Sequence, residues 1–371
     1  MKIKEKKVVL GMSGGVDSSV ALCLLKQQGF DVVGVSLKFS HWNDIKNNLR
    51  ENVCCSKENI LRAKKVCDKY RAKHLVIDAA KEFEDLVINY FIFELKNNFT
   101  PSPCLFCNRD VKIASLLSFA KSQGIRLVAT GHYAKTEKRK NAYCLFRAKD
   151  KQKDQSYFLS LLKQEQVSSL VLPLAEHTKE EVYKIAKQEK IDTSPRQSQD
   201  LCFVADKSLK AFLKQAVGNK KGKIVDQNNN ILGEHEGLHF FTIGQRKGIE
   251  LSGGPYWVAG KDIKQNILFV TNNPEDTLLF SKEIELAKVN FVSGQIPVEP
   301  IEIEAKCRFQ QPLSKAVLYP GVNDRAKLVF EKPQKAVSPG QITAFYKGEE
   351  CLGGGTIQKT KQRSLTLNTE P

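Results

Sequence analysis

Four short runs of β-branched and apolar residues punctuate the first half of the chain: KKVVLGM (Lys6 to Met12), DVVGVSLK (Asp31 to Lys38), KHLVIDA (Lys73 to Ala79) and IRLVATGH (Ile125 to His132). Each is near-continuously apolar, the mark of a strand covered on both faces. Between them, Ser18 to Gln28, Lys57 to Arg71, Lys81 to Asn97 and Asp110 to Gln123 are amphipathic with helical spacing. Buried strands separated by helices predict an α/β domain with a doubly wound parallel sheet, whose ligands bind at the carboxyl ends of the strands. Two further helical patterns, Gln155 to Leu170 and Thr178 to Lys190, extend this domain to about residue 205.

The texture then changes. KGKIVDQNNNILGEHEGLHFFTIGQRKG is rich in Gly and Asn with short alternating runs, which predicts a small β-containing domain over 206–275. From Glu283 to Ile357 only strand-like runs and Pro/Gly turns remain, as in IEIEAKCRF, KAVLYPG and RAKLVFEKP. This predicts an antiparallel β-barrel as the last domain, 276–371, with a polar tail from Gln358. The first domain is accordingly 1–205.

Composition narrows the class of partner. The 371 residues carry 58 Lys and Arg against 41 Asp and Glu, a formal charge of +17, which favours a polyanion such as nucleic acid. No apolar run approaches the roughly 18 residues that span a bilayer, and the basic start runs directly into a strand and a glycine loop, so a cytoplasmic location is expected. In a reducing compartment the ten cysteines do not read as a disulfide framework. Cys23, Cys67, Cys144, Cys307 and Cys351 lie in helix or strand patterns and read as packing residues; the vicinal Cys54 and Cys55 fall in a polar loop before a helix.

The chemistry concentrates in a few loops. GMSGGVDSS, Gly11 to Ser19, follows the first strand and opens the first helix, so backbone N–H groups and the helix dipole can meet an anion there. It has neither the Lys of a GxxxxGK[ST] loop nor the spacing of GxGxxG. PSPCLFCNRD, Pro101 to Asp110, holds two cysteines three apart; alone it is open to a disulfide, half a metal site, or a nucleophile beside an accessory thiol. Cys107 is expected just before a helix starting at NRDVKIASLL, with Asn108 as its cap, where a helix N-terminus favours a thiolate. Cys202, between Leu201 and Phe203, reads locally as a core thiol.

SGGVDS resembles the pyrophosphate loop of the ATP-pyrophosphatase (PP-loop) superfamily, whose members cleave ATP to AMP and pyrophosphate by adenylating a substrate. The resemblance implies ATP and Mg2+ as cofactors and nucleotide contacts from Gly11, Met12, Ser13, Gly14, Gly15, Val16, Asp17 and Ser18, with Leu37 beside the adenine. Gly131 in ATGHYA, where a strand ends, would let the nucleotide approach closely. Taken with KDQSYFL, SQDLCFV, TIGQRKG and GEECLGGGTI, the chain from Lys6 to Ile357 resembles the bacterial tRNA-specific 2-thiouridylases. That family implies adenylation of the 2-oxygen of uridine 34, then sulfur delivery from a cysteine persulfide. Cys107 corresponds to its nucleophile and Cys202 to its persulfide carrier, with an alternating disulfide between them closing the cycle.

The same resemblance maps target-base contacts onto Ser102, Pro103 and Cys104, and other tRNA contacts onto Lys153, Asp154, Gln155, Arg308 and Phe309. Gln245, Arg246 and Lys247 are assigned to tRNA contact or to domain contact. Cys104 departs from the acidic residue many members carry. This leaves open a second arrangement, a [4Fe-4S] cluster on Cys104, Cys107 and Cys202 with sulfide on its free iron; a zinc site lacks a fourth ligand at usable spacing. Implied partners are tRNAs for Lys, Glu and Gln, read at the anticodon loop, and a cysteine desulfurase or sulfur-relay protein. The alternatives are a PP-loop amide ligase, which needs no reactive cysteines, and a tRNA binder without activity.

Overall fold

The computed structural model describes residues 6–40, 56–192, 201–204 and 206–361; Cys54, Cys55 and the Ser198 to Asp200 part of SQDLCFV lie outside them. The chain begins with β1 (Lys7–Gly11), α1 (Val16–Gln27), β2 (Asp31–Lys38), α2 (Lys57–Lys69) and β3 (Lys73–Asp78). Two long helices follow, α3 over 80–96 and α4 over 103–122, and then β4 (Leu127–Ala129). A hairpin, β5 (Ala134–Arg139) and β6 (Ala142–Arg147), leads to the short α5 (Ser156–Leu159), α6 (Gln164–Ser168) and β7 (Leu170–Val171), and α7 (Lys179–Gln188) completes this part.

The first sheet is parallel throughout, in the order β3-β2-β1-β4-β7. Strand order reverses between β1 and β4, so a crevice opens beyond their carboxyl ends, where doubly wound sheets bind ligands. β1 and β2 are covered as their apolar runs required, with Val8, Val9, Leu10 and Val35 fully buried, whereas β3, at the sheet edge, is not: Val76 is 49% exposed. Helix α1 is buried along most of its length, from Ser18 to Leu25.

A central part contains α8 (Asp206–Val217), β8 (Gly222–Val225), β9 (Ile231–His235), β10 (Trp257–Asp262) and β11 (Ile267–Thr271). Its strands form a four-stranded sheet ordered β10-β11-β8-β9. Six antiparallel strands follow: β12 (Phe280–Phe291), β13 (Ile301–Lys306), β14 (Ser314–Pro320), β15 (Ala326–Lys335), β16 (Ile342–Lys347) and β17 (Glu350–Thr360). They run β12-β15-β14-β13-β16-β17, and pairing of β12 with β17 closes the barrel. The fold class expected from the patterning is therefore the one observed.

Three local expectations need correction. The helix expected over Gln155 to Leu170 is split into α5 and α6, because Lys163 turns extended (φ −83°, ψ 160° to the nearest ten) and its N–H is taken by Gln166 Oε1 at 3.0 Å. The β5–β6 hairpin was not anticipated, since Lys140 adopts the left-handed turn conformation (φ 49°) where a glycine would have signalled it. Helix α4 starts at Pro103, not after Cys107, with Pro in the first turn where its missing N–H costs nothing.

That hairpin ties the first sheet to the barrel. β6 pairs with β17, Leu145 opposite Cys351 and Phe146 opposite Glu350. One apolar core accordingly runs from Val9, Leu105 and Leu116 under the parallel sheet through Leu145 and Tyr157 to Ile342, Ala344 and Tyr346 of the barrel. All three parts also meet at the segment before α4. Thr100 N–H donates to Pro339 O (2.8 Å), its hydroxyl donates to Thr242 Oγ1 (3.3 Å), and Lys261 Nζ donates to Asn98 O (3.2 Å). Burial pulls the Lys261 ammonium down to about 8. Gly340 (φ 90°) touches the same segment so closely that a Cβ would stand 2.8 Å from Phe99 Cβ and Thr100 N.

Leu145→Ala would leave a cavity where sheet and barrel share a core. It should cost about 2–5 kcal/mol and separate barrel melting from that of the parallel domain, read by urea unfolding followed with two probes; a loss under about 1 kcal/mol with a single transition would contradict a shared core.

Candidate active site

The crevice beyond β1 and β4 is built around the glycine loop. Ser13 N–H donates to Ser18 Oγ (3.2 Å), Ser18 Oγ donates to Gly15 O (3.1 Å) and Ser19 Oγ to the same carbonyl (2.9 Å), which folds the loop back on the start of α1. Gly14 sits at φ 73°, and a Cβ there would be 2.2 Å from Asn59 O, so both backbone angle and space demand glycine. Gly131 follows β4 and packs against α1: a Cβ would lie 2.9 Å from Asp17 C and Ser18 N. Gly11, Met12, Ser13, Gly15 and Val16 complete the cradle, with Met12 N–H bonded to Val35 O of β2 (2.8 Å). These residues fit a nucleotide phosphate: a glycine-rich backbone arc at a helix N-terminus.

Asp17, in the first turn of α1, accepts at Oδ1 from Tyr133 Oη (2.7 Å) and from Lys179 Nζ (2.6 Å). Burial, with the Asp17 carboxylate beside it, pushes the Tyr133 phenol up, so it stays a donor. Lys179 is the first residue of α7 because Thr178 caps that helix, its Oγ1 accepting from Glu181 N while Glu181 Oε2 accepts from Thr178 N. Tyr133 and Lys179 were missed at the level of sequence; the helical pattern from Thr178 to Lys190 gave the helix but not where its lysine reaches. Next to Gly131, His132 Nδ1 lies 2.7 Å from Thr130 Oγ1, and burial, with Lys112 nearby, pulls its imidazole down to about 3. It is neutral across the physiological range.

The two motif cysteines come together through α4. Cys107 is buried (3% exposed) in a cluster of Phe83, Phe91, Val111, Phe203 and Phe212, and Cys202 and Leu37 pack against that same cluster. The fold thus joins both thiols and the residue expected beside adenine. Cys107 does not sit at a helix N-terminus as expected. It lies one turn inside α4, its N–H bonded to the Pro103 carbonyl, and it opens a π turn, Cys107–Ile113. Such turns recur at functional sites because the extra residue re-aims side chains. Asn108 is likewise no cap: its Nδ2 donates to Phe158 O (3.1 Å), and its Oδ1 is buried without a partner.

The residues mapped to tRNA divide into two sets. Cys104 is half-buried in the first turn of α4 after Ser102 and the buried Pro103. Tyr157, Phe158 and Phe309 form a ring cluster, with Phe158 and Phe309 centroids 4.5 Å apart and Lys306 lying over Tyr157 and Phe309. Burial pulls the Lys306 ammonium down. Lys153 is exposed. Asp154, by contrast, is 3% exposed and accepts from Ala148 N, Ser156 N and Ser156 Oγ; Gln155 is bonded to the Tyr133 backbone on both sides; and Arg308 Nη2 donates to Ile243 O and Ala336 O. Those three side chains hold the fold together. Among the described residues no three His, Cys, Asp or Glu side chains are close enough to hold a metal ion, so Cys104, Cys107 and Cys202 do not fit a three-thiolate cluster site. No helix among them is long and apolar enough to cross a membrane.

Sequence comparison adds what geometry alone does not decide. Residues 6–206 match the family described as tRNA methyl transferase HUP domain, 210–272 its PRC-barrel domain, and 281–357 the aminomethyltransferase beta-barrel domain. The chain is 38% identical to the tRNA-specific 2-thiouridylase MnmA of Geobacillus thermodenitrificans over 96% of this chain and 95% of that one. It is 39% identical to the MnmA of Lactobacillus gasseri over 98% of both chains, and 40% identical to that of Mycoplasma mycoides subsp. mycoides over 96% of this chain and 99% of that one. The chain belongs to the MnmA family of tRNA-specific 2-thiouridylases. Methyl-transfer wording stands in all three family descriptions, whereas the relatives' names specify 2-thiolation.

Lys179 offers the glycine loop a cation that can meet phosphate oxygens once Asp17 engages elsewhere. Lys179→Met should raise KM for ATP roughly tenfold, the scale of one charged hydrogen bond, with tRNA affinity unchanged in filter binding; an unaltered KM would make Lys179 a structural tie only.

Proposed function

We propose that this protein is an ATP-dependent tRNA-uridine 2-sulfurtransferase acting in the cytoplasm on uridine 34 of tRNAs for Lys, Glu and Gln. The catalytic domain is 1–205, the central domain 206–275, and the barrel, 276–371, contacts tRNA. The observation that carries this reading is the meeting of Cys107, Cys202 and Leu37 on one apolar cluster in a chain that is 38% identical to a 2-thiouridylase along nearly its whole length.

In this reading ATP is a substrate: its α-phosphate is taken by the uracil 2-oxygen, which later departs within AMP. Gly11 to Ser18 hold the pyrophosphate portion, Asp17 helps hold Mg2+, Leu37 and Gly131 flank the nucleoside, and Tyr133 keeps Asp17 oriented. A cysteine desulfurase or relay protein loads a sulfur onto Cys202 as a persulfide. The terminal sulfur forms the new bond to C2, and the C2–O bond breaks. Cys107 thiolate attacks Cys202 Sγ, which breaks the persulfide S–S bond and leaves a Cys107–Cys202 disulfide for an external dithiol to reduce. Extruding a wobble base for this step suits a pocket edged by Ser102, Pro103, Cys104 and the Phe158–Phe309 rings, since aromatic faces hold unstacked bases. An apolar seat around the thiols keeps water from competing for the activated carbon.

Cys107→Ser and Cys202→Ser should each lower 2-thiouridine formation by about a thousandfold or more with tRNA affinity unchanged, whereas Asp17→Ala should stop AMP release. Thiolation retained in either serine variant, measured by nucleoside mass spectrometry, would remove that residue from the scheme; normal AMP release in Asp17→Ala would overturn the nucleotide site.

A further inference from the structure

The central-domain loop Thr242–Gly248, TIGQRKG, is braced far more heavily than a surface connection requires. Thr242 N–H donates to Gln245 Oε1 (2.9 Å), Gln245 Nε2 donates to Lys247 O (2.9 Å), Gly244 N–H donates to Val258 O (2.7 Å) and Val258 N–H to Gln245 O (3.0 Å). Gly244 and Gly248 adopt φ of 82° and 76°. The barrel grips the loop from outside. Arg308 Nη2 bonds Ile243 O (2.9 Å) and Ala336 O (2.6 Å) at once, its Nε bonds Gln341 Oε1 (3.0 Å), and a Cβ on Gly244 would strike Ala336 Cβ at 2.3 Å.

What this bracing presents outward is a pair of cations. Arg246 and Lys247 are exposed, and among the described residues no carboxylate pairs with either. Some exposed cations are neutralised locally, as in Lys149–Glu181, Lys214–Glu236 and Lys335–Glu275; what sets Arg246 and Lys247 apart is the braced loop that carries them. The loop also stands beside the active-site entrance. Thr242 Oγ1 is 3.3 Å from Thr100 Oγ1, and Thr100 precedes Ser102 and Cys104 by two and four residues. At about 3.6 Å per extended residue, neither Arg246 nor Cys104 can lie more than about 14 Å from that junction.

We propose that Arg246 and Lys247 grip backbone phosphates of the RNA flanking the reacting base, and that Arg308 is the positioning residue that sets their loop rather than an RNA contact. This rests on the tRNA reading above. A rigid arm costs little ordering entropy on binding, and two phosphates neutralised there release two counterions' worth of salt dependence.

The test measures tRNA binding against salt concentration, with 2-thiouridine formation at saturating tRNA as a second readout. In Arg246→Ala/Lys247→Ala the slope of log K against log salt should fall in magnitude by about 1.4–1.8, while turnover at saturating tRNA is kept. Arg308→Met alone should lose a similar part of the slope. Added to the double variant it should change the slope no further, whereas a phosphate-contacting Arg308 would subtract more. Because Arg246 and Lys247 are exposed, the double variant folds independently of the outcome at Arg308. Normal tRNA binding by the native protein with an unchanged slope in the double variant overturns the loop proposal alone; no tRNA binding by the native protein overturns the tRNA reading and the proposal with it.

Discussion

Everything in this protein converges on how α4 is held. Its first turn carries Cys104 and its second Cys107, so under the proposed function the position of that helix decides where sulfur chemistry would occur. Apolar packing under the parallel sheet seats one side through Leu105, Phe106, Ile113 and Leu116. Polar ties fix the rest: Asn108 to the Phe158 carbonyl, Gln166 Nε2 to Arg109 O at 2.6 Å, and Thr100 to barrel and central domain together. A helix tied in this way to all three domains cannot drift without breaking these part-buried hydrogen bonds.

This arrangement explains why the two sites lie where they do. The switch point of the sheet sets the glycine loop beyond β1 and β4, and Leu37, at the end of the neighbouring β2, packs against the cluster that encloses Cys107 and is flanked by Cys202. A nucleotide leaning on Leu37 would therefore border the thiols. The π turn at Cys107–Ile113 breaks the regular helical phase at the residue proposed as the nucleophile, while the unpartnered Oδ1 of Asn108 is a polar group left over inside the same wall.

Much of the parallel domain was legible because its signals are local. Continuous β-branched runs required strands covered on both sides, and the glycine loop after the first of them required close backbone approach; Gly14 and Gly131 have that geometry. The barrel was legible from turn spacing. What the sequence concealed were features that depend on long-range contact. Asp154, Gln155 and Arg308 stand in motif positions mapped to tRNA, and each also bonds within the fold, which only the positions of Ala148, Tyr133, Ile243 and Ala336 reveal. The start of α4 was placed too late because Pro103 and two cysteines resemble a loop, although proline is well suited to a first helical turn. Tyr133 and Lys179 reach Asp17 from different elements, so no spacing pattern connects the three.

The central claim is that Cys107 and Cys202 act as one sulfur-delivering pair. The most direct measurement is a single turnover with persulfide-loaded enzyme, tRNA and ATP in the absence of reductant, quenched with an alkylating agent and mapped by peptide mass spectrometry. The account predicts a Cys107–Cys202 disulfide formed in proportion to 2-thiouridine. Thiolated tRNA with both cysteines recovered as free thiols, or with Cys202 linked to Cys104, would contradict it.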